Sequence, residues 1–225
     1  MDANLLHTIL AERAARRLYH ANSVSTSLSL IRLGGLASRQ RVEQANLPQT
    51  YQYTDPTDRA LGIWNDVFLD TVDIHQRIRN VNHYGPVLFE FDLDILREVD
   101  SDADARVSKS NPSKWSVDTP EATRYFTDAS ELRQGLSIGT FDQMLMLSTA
   151  TGHIPFGGSL LRVVVDDPAA GTAASEWHVA ATEAISGELT AAGLQVPVVR
   201  RECFACRCVN TYAGDARLQE KMFRF

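Results

Sequence analysis

LYHANSVSTSLSLIRLGGLASRQR, residues 18–41, decides how the rest of the chain is read. Leu18 to Asn22 alternates apolar and polar residues as a short strand does, and Ser23 or Ser25 is suited to cap a following helix. The apolar positions Leu28, Leu30, Ile31 and Leu33 then run into Gly34-Gly35, the kind of residue that ends a helix in the left-handed conformation. Upstream, Leu5, Leu6, Ile9, Leu10 and Ala14 recur at helical spacing, which predicts an amphipathic helix over residues 2–17. Downstream, the polar stretch 40–62, with Pro48 and Pro56, reads as a long surface loop.

The remaining chain mixes strand and helix without regular alternation. Ile63–Val72, Gly85–Leu93, Met144–Leu147, Leu160–Val165 and Val196–Val199 carry the residues of strands. Helices are predicted from Pro120 through Leu132 and over Ser175–Ala192, and 98–120 reads as a solvated loop. That order implies one α+β domain over residues 1–225, with mixed and antiparallel sheets flanked by helices.

Composition narrows the function. Apolar residues make up 44% of the 225, enough for one sizeable core, and 22 basic against 28 acidic residues leave a net charge of −6. Bulk attraction to nucleic acid is therefore excluded, and any such contact must be local, as from Arg13, Arg16, Arg17, Arg39 and Arg41. No apolar run is long enough to span a membrane, and the layout of a signal peptide is absent, so a cytoplasmic protein without a membrane partner is expected.

Three groups of residues could carry chemistry. His20, at a strand end beside a glycine-stopped helix, can place a ring nitrogen in a cleft suited to a ribose hydroxyl or an amide. In NDVFLDTVDIHQR, residues 65–77, Asp66 and Asp70 share one strand face while Asp73 and His75 share the other. These four could hold a divalent metal for hydrolysis, as in a metal-dependent hydrolase or nuclease, but no second carboxylate-histidine cluster completes such a site, and an exposed edge and turn with a capping Asp explains them without one. Cys203, Cys206 and Cys208 could chelate zinc with a histidine such as His178, but one local cluster reads better as cysteines in or beside a buried C-terminal strand.

Taken in order, LYHANSV, the helix into GGLASRQR, DVFLDTVDI and YGPVLFEFDLDIL resemble the NAD-dependent ADP-ribosyltransferases, in particular the DarT-type toxins that modify nucleic acid. The resemblance spans residues 18–166 and is most specific from Leu18 to Arg39. It implies an enzyme that takes NAD+ as co-substrate, breaks its nicotinamide bond and passes ADP-ribose to a macromolecule, with DNA or RNA as acceptor. It implies further that His20 and Asn22 open the NAD pocket, that Gly35 and Leu36 lie in the glycine-leucine stretch before a cofactor-covering loop at 40–62, and that Arg39 or Arg77 meets phosphate. Phe68 or Tyr84 would stack on nicotinamide, and Asp70 joins the cofactor contacts.

Such enzymes complete the site with an acid, commonly Glu, at the start of a later strand. It stabilises the positive charge that develops as the glycosidic bond breaks. Asp142, before Met144-Leu145-Met146, is the nearest match, with Glu131 and Glu176 as alternatives. His20, Asp142 and Arg77 are thus the expected catalytic residues, with no resident metal. A toxin of this kind implies a neutralising antitoxin partner. Without a working acid the same pocket would make a non-catalytic NAD-binding module.

Overall fold

The computed structural model describes residues 1–75, 83–168, 175–203 and 207–225, so Arg77 and Cys206 lie outside the described residues. The first helix, α1 (Ala3–Glu12), is capped by the Asp2 carboxylate and buries Leu6, Ile9 and Leu10. It stops short of the predicted residue 17 because Ala14 turns to φ 61°, and the amide of Ala15 closes back on the Leu10 carbonyl at 3.0 Å. The arginines that follow are thereby freed from the helix.

Strand β1 (Arg17–Asn22) and helix α2 (Val24–Leu33) follow as the sequence predicts. Ser23 Oγ accepts from the Thr26 amide, and Gly34 at φ 71° ends α2 in the left-handed region. Gly35 begins β2 (Gly35–Ala37), which pairs antiparallel with β7 (His153–Pro155). Residues 40–62 are not a loop throughout. Helix α3 (Arg39–Gln44) is capped by Ser38, and α4 (Asp55–Ala60) takes Pro56 in its first turn, where a missing N–H costs nothing.

The remaining strands are β3 (Asp66–Leu69), β4 (Val87–Asp92), β5 (Asp104–Val107), β6 (Leu145–Ser148), β8 (Leu160–Asp167) and β9 (Val198–Glu202). One sheet has the order β1-β4-β8-β9, antiparallel except for the parallel β8–β9 pair, and a second has the order β3-β6-β5. The predicted solvated loop at 98–120 therefore contains β5, an outer strand of the second sheet, and a short 3-10 turn at Pro112–Lys114. The helix predicted from Pro120 is split into Glu121–Arg124 and Ala129–Gly135. Stacked Phe89, Phe91 and Phe156, all fully buried, anchor the core behind β4, and the helix Ser175–Ala191 packs on β8 and α2.

The two sheets meet edge to edge. Tyr19 of β1 and Asp70, just past β3, exchange both backbone hydrogen bonds at 2.9 Å. Gly85 fixes the approach to β4 from the other direction. It sits at φ 145°, and a Cβ there would lie 2.2 Å from the Asn22 carbonyl and the Ser23 nitrogen, which are backbone and cannot swing away. Gly85→Ala is accordingly expected to destabilise the fold by about 3 kcal/mol or more. Chemical denaturation reads this directly, and an unchanged midpoint would show that the chain relaxes there freely.

Candidate active site

A cavity of about 800 Å³, measured out to its open mouth, lies where β1, β3 and α3 converge. His20 and Asn22 reach it from β1, Arg39 from α3, and Asp66, Phe68 and Asp70 from the single face of β3 that their period-two spacing predicts. Tyr84 and Ile74 also line it, and so do Asn111, Pro112 and Ser113.

His20 is held in one tautomer. Its Nδ1 lies 2.7 Å from the Phe68 carbonyl, which can only accept, so Nδ1 carries the proton and donates. Nε2, 2.6 Å from Asn22 Nδ2, is left to accept from that amide. Desolvation lowers the ring to about 4, partly opposed by the Phe68 bond, so the imidazole is neutral at physiological pH.

Three carboxyls line the cavity in different states. Asp66 accepts from Arg106 Nη2 at 2.6 Å, although burial still raises it. Burial also pushes Asp58 up to about 6, opposed by a hydrogen bond from Thr54. Asp70 is pushed up to about 8 by burial alone, and its Oδ1 has no hydrogen-bond partner among the described residues. Arg39 is similarly incomplete. Nη2 donates to Asp55 Oδ2 at 2.6 Å and to the Thr50 carbonyl at 3.0 Å, while buried Nε and Nη1 have no partner among the described residues. Leaving such groups unmatched is costly, and a ligand that supplies the matching atoms recovers that cost.

The structure thus brings His20, Asn22, Arg39, Phe68, Asp70 and Tyr84 together around one cavity. Gly35 and Leu36 stand apart from its lining. Gly35 is pressed against the Ile154 carbonyl and the His153 ring, and Leu36 is fully buried, so both are packing residues of the β2–β7 pair. Asp142 is also turned away: it is exposed and accepts from Lys114 Nζ at 2.7 Å. Strand β6 starts only at Leu145, and Met144 takes the cavity-facing place. Glu131 is held well below its ordinary range by Lys109 and Thr127, away from this lining.

The proposed metal run is divided. Asp66 and Asp70 face the cavity, whereas Asp73 pairs with Arg201 and His75 Nδ1 lies 2.8 Å from Asp166 Oδ2. The basic patch is likewise broken up, because Arg39 lines the cavity and Arg17 is paired with Glu90 at 3.4 Å and Asp92 at 2.9 Å. Sequence reading missed the contribution of Asn111, Pro112 and Ser113 entirely. Asn111 holds this turn by accepting from the Ser113 amide at 3.0 Å, an Asn-Pro turn signal visible in the sequence.

Neither a protein-family model nor a curated protein matches the sequence. Solved structures do. Thermus sp. 2.9 DarT in complex with ADP-ribosylated ssDNA aligns with a TM-score of 0.52 at 10% identity, covering 84% of this chain and 95% of that one. The same protein in complex with NAD+ aligns with a TM-score of 0.50 at 10% identity, covering 83% and 96%. The chain therefore has the α+β fold of the DarT ADP-ribosyltransferase.

Proposed function

We propose that this protein is an NAD+-dependent ADP-ribosyltransferase that modifies nucleic acid, with single-stranded DNA as the first acceptor to test. The observation that carries the reading is the pair of incomplete groups in one cavity, the guanidinium of Arg39 and the carboxyl of Asp70. NAD+ presents a pyrophosphate and a cationic pyridinium within one molecule; the Arg39 guanidinium matches the first, and the Asp70 carboxyl, once ionised, matches the second. The shared fold with a protein solved both with NAD+ and with ADP-ribosylated ssDNA supports substrate and acceptor alike.

In this reading Arg39 donates Nε–H and Nη1–H to pyrophosphate oxygens. Phe68 and Tyr84 supply the aromatic walls against the ring. Neutral His20, locked by Phe68, accepts from a ribose hydroxyl at Nε2 in exchange for the Asn22 amide, without adding a charge that would repel the pyridinium. Asp70 takes the part expected of Asp142. It accepts from a ribose hydroxyl and, once ionised, opposes the positive charge that develops at the anomeric carbon. When bound, NAD+ supplies an ADP-ribosyl group whose bond to nicotinamide breaks with the electron pair leaving on nicotinamide, while the acceptor nucleophile bonds to the sugar and gives up its proton to solvent.

The test is incubation of the protein with NAD+ and, separately, single-stranded DNA, RNA and a cell lysate, following free nicotinamide and acceptor mass. Nicotinamide release with one added ADP-ribose on a polynucleotide supports the proposal, and addition to protein would move the acceptor. The outward-turned Asp142, with Met144 on the cavity wall instead, favours a second reading of NAD+ binding without transfer. Thermal stabilisation by NAD+ with no nicotinamide released would select it. Asp142→Asn is expected to leave nicotinamide release within about twofold of the parent, as for any exposed, weakly coupled ion pair. A large loss would return the acid to Asp142.

A further inference from the structure

Behind the cavity wall, one residue beyond Ile74, lies a second polar cluster that the proposed reaction does not use. His75, Cys203 and Cys208 are all buried, and one ligand atom from each lies within 4.8 Å of the others. They come from three separate segments: the helical residues 74–75 after β3, the residue after β9, and the start of the helix Cys208–Gly214. The histidine beside the cysteines is therefore His75. His178, the residue expected from sequence, instead meets the Asp166 carbonyl at 3.3 Å through its Nδ1.

The surroundings are built as a metal ligand's are. His75 Nδ1 is 2.8 Å from Asp166 Oδ2, which leaves Nε2 directed at Cys203 Sγ, 3.8 Å away. A carboxylate on the far ring nitrogen fixes the tautomer and raises the basicity of the ligating one. Asp166 is itself held by Arg201 Nε at 2.5 Å, and Arg201 also pairs with Asp73. Zinc bonds of about 2.3 Å to sulfur and about 2.0–2.1 Å to nitrogen, at a tetrahedral angle, place such donors about 3.6 Å apart. The His75–Cys203 pair already has nearly that spacing, and the separations of up to 4.8 Å within the trio close by about 1 Å at most.

Cys208 is disulfide-bonded in this structure. We propose that His75, Cys203 and Cys208 form a redox-gated zinc site, closed to metal while that disulfide stands and opened by its reduction. A dithiol supplies the two electrons and two protons that convert the disulfide to thiols and is itself oxidised to a disulfide. Zinc then binds His75 Nε2 and the sulfurs of Cys203 and Cys208, whose two protons are released to solvent. Two sulfurs and one imidazole select zinc over magnesium or calcium, and three protein ligands suffice to seat it. The alternative use of Cys203, as a nucleophile with His75 and Asp166, runs against its environment. Its thiol is buried and lies outside the cavity lining, so a substrate held in the cavity does not reach it.

The test uses the full chain, reduced with a dithiol and desalted without oxygen, titrated with Co²⁺ as a spectroscopic stand-in and then with Zn²⁺. The expected result is one ion per chain, a thiolate-to-cobalt charge-transfer band that zinc abolishes, and loss of both when the protein is reoxidised. Cys203→Ser and His75→Ala should each remove or strongly weaken the band. Circular dichroism identifies a misfolded variant, in which case the unmodified chain decides alone. No charge-transfer band in the reduced chain overturns the proposal. So does a band unchanged in folded Cys203→Ser, or metal bound equally by the oxidised protein. Because the readout is metal binding, failure of the transferase reading leaves this result intact, and the reverse also holds.

Discussion

Asp70→Asn lowers kcat for nicotinamide release by about 100- to 1,000-fold, the scale expected when one preorganised group opposite a developing charge is removed. The amide keeps the shape and the hydrogen-bonding capacity of the carboxyl, so NAD+ binding changes far less than kcat. The pH profile gives an independent check. In the empty cavity the Asp70 carboxyl holds its proton up to about 8 because burial disfavours the charge. If the carboxylate is the working form, kcat/KM climbs with pH to about 8 and then levels, since that ratio reports the free enzyme. His20, lowered to about 4, adds no limb above pH 5 or so. The Asn variant should lose the rising limb. A parent profile flat from pH 6 to pH 9 would remove Asp70 from the chemistry.

The same proton has a stability consequence with a definite sign. In the unfolded chain Asp70 ionises at its ordinary value of 3.8, whereas in the folded chain it stays protonated to about 8. The folded state therefore binds more protons between these values, and stability falls as pH rises across that window. Asp70→Asn carries no such penalty and should unfold at a higher temperature than the parent at pH 8 while being nearly inactive. A variant both less active and less stable at pH 8 would indicate a structural role instead.

His20→Ala is expected to abolish NAD+ turnover, with a loss of at least about 100-fold in kcat/KM, while the protein stays folded. The imidazole donates to the Phe68 carbonyl and accepts from Asn22, so its removal releases two neighbours and empties part of the cavity wall. The unmatched carbonyl costs only about 1–3 kcal/mol, because the seam is carried by the backbone pair between Tyr19 and Asp70. A modest fall in melting temperature with complete loss of nicotinamide release is the result to look for. Full turnover in a folded variant would displace the NAD+ site from this cavity.

The parts of this architecture that were legible in the sequence are those governed by neighbours along the chain. Ser23 caps, Gly34 stops, and Asp66, Phe68 and Asp70 share a face, all from local geometry and period. The resemblance, which implies an acid just before a strand, misled at Asp142. That residue has the parity of the cavity-facing Met144, but the strand begins at Leu145, and in the preceding turn Lys114 draws Asp142 outward. Residues 98–120 failed for a different reason. Their few apolar side chains hide a strand that pairs with β6, and beyond it Asn111 is held at the cavity by its bond to the Phe141 carbonyl at 3.3 Å. The cluster of Asp73, His75, Asp166, Arg201 and Cys203 joins positions up to 128 residues apart, beyond the reach of any local rule.

The two hydrogen bonds between Tyr19 and Asp70 also bear on how the protein behaves in a crowded solution. Strands β1 and β3 are each the outermost of their sheet, and an exposed outermost strand is a template on which another chain can add. Here each lies against the other, so two adhesive edges are closed by a contact that simultaneously frames the cavity. Substitutions that pry β1 from β3 should therefore be recovered as aggregates more often than as soluble inactive protein.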